Sequence, residues 1–115
     1  MGINMNKNSD LFNRLQKQIE AAEKSGLPIN KLVRQQIDIL KSSHDEFIKS
    51  AKENGYDMNN LHIGQIEVQQ YAAMKQLAKK IGLPVEEYDK LIKDVQVRIL
   101  GEENYKRFFN QKNGK

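Results

Sequence analysis

The sequence predicts an all-α protein, a helical bundle of four longer helices followed by a short C-terminal helix. Apolar residues recur every three or four positions in each long segment, which is the period of an α-helix. No segment sustains the alternation of apolar and polar residues that is typical of a strand. The chain has 115 residues, of which 38% are hydrophobic and 30% charged. These values are consistent with one domain that has a modest core.

The first helix is predicted over about residues 9–25, after a flexible N-terminal segment of residues 1–8. Ser9 or Asp10 can cap it, because their side chains accept hydrogen bonds from free backbone N–H groups. Its periodic apolar residues are Leu11, Leu15, Ile19 and Ala22. The second helix is predicted over about residues 29–54. Its apolar stripe covers about half of the circumference, so we expect it to contact more than one neighbour.

The third helix, over about residues 60–81, has apolar residues on two nearly opposite sides. Such a helix lies at the centre of a bundle or joins a core to an interface. The fourth helix is predicted over about residues 85–100, and a short last helix runs to about residue 111. Residues 9–111 then form a single helical domain, and residues 112–115 fray.

One sequence device occurs twice, as AEKSGLP at residues 22–28 and as AKKIGLP at residues 78–84. Each copy is typical of a helix end, where glycine adopts the left-handed conformation and proline prevents continuation. The leucine after each glycine is expected to fold back on the alanine. Because both loops are short, the first and second helices, and the third and fourth, should form antiparallel hairpins.

The segment LAKKIGLPVEEYDKL, residues 77–91, also resembles a DNA-binding helix-turn-helix, with a small residue four positions before a turn glycine. Three acids, Glu86, Glu87 and Asp89, stand where a recognition helix would approach DNA, and phosphates would repel them. The basic C-terminal segment could instead contact nucleic acid. The residues of this alternative function, a nucleic-acid-binding regulator, are Lys79, Lys80, Lys106 and Arg107.

The sequence offers few groups for catalysis or metal binding. There is no cysteine, and the two histidines, His44 and His62, lie on different predicted helices outside any metal-binding pattern. His44 falls on the apolar stripe of the second helix and is expected to be a partly buried residue with satisfied hydrogen bonds. We therefore expect no enzyme activity, no catalytic residue, no metal site and no cofactor.

The leading prediction is a small non-catalytic interaction protein that binds a protein partner of unknown identity through a helical face. Regulators, adaptors and inhibitors include chains of this type. The net charge of +4 is spread along the chain, whereas nucleic-acid binders usually concentrate their charge. The third helix has a second apolar side that is not needed for packing on one neighbour. This second side suggests a homodimer. The predicted partner-binding residues are Leu61, Val68, Tyr71, Ala72, Tyr105, Phe108 and Phe109. The lack of cysteine and of any long apolar run favours a cytoplasmic protein with no membrane contact.

Overall fold

The computed structural model describes residues 3–113, with side chains described for residues 9–109. The all-α prediction is confirmed, and no strand occurs within the described part of the chain. Its helices, in chain order, are α1 (Ile3–Lys24), α2 (Asn30–Glu53), α3 (Leu61–Lys80), α4 (Glu86–Leu100) and α5 (Glu102–Asn113).

The outermost helix ends differ from the prediction. α1 begins at Ile3 rather than near Ser9, and α5 reaches Asn113 rather than residue 111. The N-terminal extension contains neither glycine nor proline after Gly2, so nothing stops the helix from propagating backwards past Ser9. Its polar composition led to the expectation of a flexible segment. The ends of the predicted flexible segments, at residues 1–2 and 114–115, lie outside the described residues.

The helix stop predicted at Gly26 is confirmed in the backbone. Gly26 has φ of 72°. Its N–H donates to the Glu23 carbonyl at 3.2 Å, and the Leu27 N–H donates to the Ala22 carbonyl at 2.8 Å. These two bonds make a Schellman motif, which satisfies carbonyls left free at a helix end. The Leu27 side chain, which was expected to fold back on Ala22, is 61% exposed.

The second copy of the device has the same geometry. Gly82 has φ of 76°, and the Leu83 N–H donates to the Ala78 carbonyl at 2.9 Å. Here the leucine does fold back, because Leu83 packs against the apolar core. The stop at Asn54-Gly55, which the sequence also predicts, ends α2 with the same pair of bonds, although tyrosine replaces the leucine and no proline follows.

The helices form an open row rather than a closed bundle. Each helix packs on its neighbours in the chain, and within residues 3–113 no backbone contact joins α1 to α4. The protein measures 49 × 43 × 15 Å, so it is about one helix thick in its shortest dimension. Its radius of gyration is 16.7 Å, whereas a compact chain of this length would have about 13 Å.

The apolar core lies at the end of the row that carries the two Gly-Leu-Pro turns. Its buried members come from three helices: Ile19, Val33, Ile37 and Ala78. An ion pair between Glu23 and Lys80, 3.4 Å apart, joins the ends of α1 and α3 at the same place. We call this the turn end. The opposite end, where α3 begins and α4 stops, is the open end.

We expect Gly82→Ala to lower the free energy of unfolding by about 1 kcal/mol, because a side chain is disfavoured at positive φ. No atom lies within 4 Å of the position a Cβ would take, so the cost comes from the backbone alone. Urea denaturation measures the change. Gly82→Asn is the control and should lose less stability, since asparagine tolerates this conformation. Equal stability of the alanine variant and the parent would contradict the assignment.

Candidate functional site

The α3–α4 hairpin sets the position of every candidate site residue at the open end. Three contacting pairs define its register: Gly64 with Ile99, Glu67 with Arg98, and Lys75 with Asp89. The residue numbers rise along α3 as they fall along α4, so the two helices lie antiparallel and side by side. In a DNA-binding helix-turn-helix the two helices instead cross at about 90–120°.

An ion pair between a buried carboxylate and an exposed guanidinium joins the two helices near the middle of the hairpin. Glu67 is only 3% exposed, and its Oε2 accepts a hydrogen bond from Arg98 Nη2 at 2.6 Å. A buried carboxylate without such a partner would be strongly destabilising. This pair therefore fixes the register of α4 against α3.

A second polar contact fixes α3 against α2. His44 is buried, and its two ring nitrogens contact the Gln70 Oε1 and the Tyr71 hydroxyl, the latter at 3.0 Å. This confirms the expectation that His44 is a buried residue with its hydrogen bonds satisfied. Burial raises the pKa of the Tyr71 hydroxyl, the negative charges of Glu67 and Asp45 raise it further, and Arg98 opposes them.

An apolar groove of about 430 Å³ opens between α3, α4 and α5 at the open end. Seven of its lining residues are apolar or glycine, and the other three are glutamines, so no charged residue lines it. The lining residues are Leu61, Gly64, Gln65, Val68, Gln69, Val95, Gln96, Ile99, Leu100 and Phe109.

The groove exists because α4 approaches α3 closely while α5 does not. Gly64 has no side chain, and Ile99 of α4 fills the space where a Cβ would stand. α5 packs on α4 alone, and the Tyr105 and Phe109 rings lie 4.6 Å apart between their centroids. The Lys93 ammonium lies 5.8 Å from the Tyr105 ring centroid, which holds α5 beside α4. The space between α3 and α5 stays open as a result.

The structure divides the predicted partner-binding residues into two groups. Leu61, Val68 and Phe109 line the groove together, and Tyr105 supports it through its contact with Phe109. The others lie elsewhere. Tyr71 faces α2 through His44, Ala72 is half-buried outside the groove lining, and Phe108 is 61% exposed and does not line the groove. Helical periodicity alone placed Tyr71 beside the apolar stripe, but it gives no information on which helix lies against it.

The residues of the nucleic-acid alternative do not form one surface. Lys79 and Lys80 lie at the turn end, where Lys80 pairs with Glu23. Lys106 and Arg107 belong to α5, which follows the other end of α4. Leu77 and Ala78 of the helix-turn-helix-like segment pack into the core.

Sequence reasoning missed several residues that line the groove on α3 and α4. Gln65, Gln69 and Gln96 gave no signal of a site because glutamine is common on exposed helices. Gly64 gave no signal either, because a glycine within a helix is expected only to weaken it. Its burial against Ile99 shows that it is needed for close packing of α3 on α4.

No protein family, curated protein or solved structure matches this chain. Within the described residues, no three histidine, aspartate or glutamate side chains come together as metal ligands. None of the helices in the described part of the chain has the length and hydropathy of a membrane-spanning segment.

We expect Gly64→Ala to destabilise the protein, because the new Cβ would lie 2.5 Å and 2.8 Å from the Ile99 Cγ1 and Cδ1 atoms. Overpacking of this kind costs about 1–3 kcal/mol. Alanine also has a higher helix propensity than glycine, which offsets about 1 kcal/mol of this cost. In an Ile99→Ala background the same substitution should stabilise, since only the propensity gain remains. Urea denaturation of the double-mutant cycle measures this change of sign. If Gly64→Ala changed the free energy of unfolding equally in both backgrounds, the close approach of Ile99 to Gly64 would be excluded.

The raised pKa of Tyr71 predicts a loss of stability at alkaline pH. In the folded state the hydroxyl ionises at higher pH than in the unfolded chain, whose tyrosines ionise near pH 10. The stability that the neutral Tyr71 hydroxyl contributes to the folded state is therefore fully present below about pH 10. It is lost as the pH rises through the folded-state pKa. Tyr71→Phe should show a smaller alkaline loss than the parent in urea titrations, although it is less stable at neutral pH. Tyr56→Phe, at an exposed position, is the control. An alkaline loss unchanged by Tyr71→Phe would contradict this assignment.

Proposed function

We propose that this chain is a non-catalytic interaction protein that binds a protein partner through the groove between α3, α4 and α5. The observation that carries the proposal is the groove itself, which is apolar, rimmed by glutamines and free of lining charge. Protein interfaces have this composition at their centres, where charged residues are depleted and apolar and aromatic residues are enriched. Regulators, adaptors and inhibitors act by such contacts.

The shape of the chain supports the same proposal. The accessible surface is 8416 Å², whereas a compact monomer of 13.3 kDa would expose about 6,500 Å². The row therefore leaves about 1,900 Å² more surface in water than a compact fold of its mass. Large apolar side chains contribute to this surface, since Leu61 of the groove lining is 58% exposed and Phe108 of α5 is 61% exposed. Contiguous exposed apolar surface marks interaction sites.

The groove is better suited to a protein than to a nucleic acid. Nucleic-acid binding depends on cations that neutralise phosphates, and no cation lines the groove. The four basic residues of the alternative are divided between the two ends of α4, and Glu86, Glu87 and Asp89 lie in the first turn of that helix. Those acids interact favourably with the positive end of the helix dipole.

A capture experiment tests the proposal. Tagged parent protein is incubated with an extract of its native host, and captured proteins are identified by mass spectrometry. Val68→Glu places a charge in the middle of the groove wall and should abolish the capture of groove-dependent partners. Ala73→Glu is the matched control, because it adds the same charge to an exposed position on the same helix outside the groove.

Circular dichroism of both variants checks that helix content is retained. The proposal is supported if Ala73→Glu captures the same proteins as the parent and Val68→Glu does not. It is contradicted if both variants capture the same proteins as the parent. Sequence-selective binding of DNA, with an affinity that falls steeply as salt rises, would support the nucleic-acid alternative instead.

A further inference from the structure

We propose that the partner in the groove is a second copy of this chain, and that the two grooves face each other across a two-fold axis. This inference rests on the proposed function and names the occupant of the same site. A two-fold interface brings the same surface of each chain against itself, so that surface must be complementary to itself. The groove meets this requirement through its lack of charge and through its glutamines.

Self-pairing requires that like charges do not meet. A groove rimmed by lysines or glutamates would repel its own copy, but the lining of this groove carries no charge. Its polar residues, Gln65, Gln69 and Gln96, each have both a donor and an acceptor on the side-chain amide. An amide can therefore pair with another amide of the same type, which a carboxylate or an ammonium group cannot do.

The exposed surface of the chain leaves room for such an interface. Obligate homodimers bury about 2,000–5,000 Å² in total, or about 1,000–2,500 Å² from each chain. The open row exposes about 1,900 Å² more than a compact monomer over its whole length, and the groove is one part of that surface. Within the groove lining, Leu61 is 58% exposed, and a second copy of the groove can cover it.

The net charge of the chain adds a further expectation. Two chains of charge +4 repel each other, and salt screens this repulsion beyond about 8 Å at physiological ionic strength. Association through an uncharged apolar groove should therefore strengthen as salt is added. Binding to nucleic acid would weaken under the same change.

Sedimentation equilibrium of the purified full chain, over a wide range of concentrations, measures the association. We expect a monomer–dimer equilibrium for the parent. Gln65→Glu should raise the dimer dissociation constant by at least about tenfold, because like charges placed across an interface oppose association. Gln76→Glu is the matched control and should leave the constant unchanged. It makes the same change on an exposed position of the same helix outside the groove.

A mixing experiment separates self-pairing from any indirect effect of the substitution. Gln65→Glu and Gln65→Lys should each be mainly monomeric, and an equimolar mixture should dimerise again, because the two grooves then carry opposite charges. Unfolding is a poor explanation for loss of association by Gln65→Glu, since an acid near the start of α3 favours the helix. Circular dichroism checks this directly.

The outcomes distinguish this inference from the proposed function. A parent that stays monomeric at every concentration overturns the second-copy inference, and groove-dependent capture of other proteins would still support the proposed function. A dimer that is equally weakened by Gln65→Glu and Gln76→Glu, or by neither, also overturns the inference. If the parent dimerises and the loss by Gln65→Glu is restored by mixing, the inference is supported.

Discussion

The architecture depends on α3, which packs on α2 on one side and on α4 on the other. On the side that faces α4, Gly64 lets Ile99 approach the backbone of α3, and Glu67 pairs with Arg98. Towards α2, the same helix offers the residues that satisfy both ring nitrogens of His44. Because these contacts are made by glycine and by polar side chains, they fix register and direction more than they bury apolar area. The remaining helices are then attached in sequence, α1 to α2 and α5 to α4.

The apolar core is concentrated at the turn end as a consequence. Ala78 shows how: its side chain is fully buried in the core, and its carbonyl accepts the hydrogen bond that ends the helix. Small residues at such positions allow close packing of several chain segments. At the open end, described residues of α3, α4 and α5 line an uncharged groove. The same arrangement therefore gives stability at one end and an accessible apolar surface at the other, which is the basis of the proposed protein interaction.

Much of the local structure could be predicted from the sequence, since it depends on nearby residues. The two Gly-Leu-Pro devices correctly predicted left-handed glycines, and the two apolar sides of the third helix correctly placed it between neighbours. The open row could not be predicted, because periodicity shows that a helix has a buried face but does not show which helix covers it. The glutamines of the groove and the role of Gly64 depend on residues about 30 positions away and gave no local signal.

Small-angle X-ray scattering of the monomer tests the open row most directly. The measurement is best made at low concentration, or on the Gln65→Glu variant if the parent dimerises. The open row predicts a radius of gyration near 16.7 Å and a flattened particle. A value near 13 Å, which a compact chain of 115 residues would give, would contradict it, because the groove could not then remain open in the free chain.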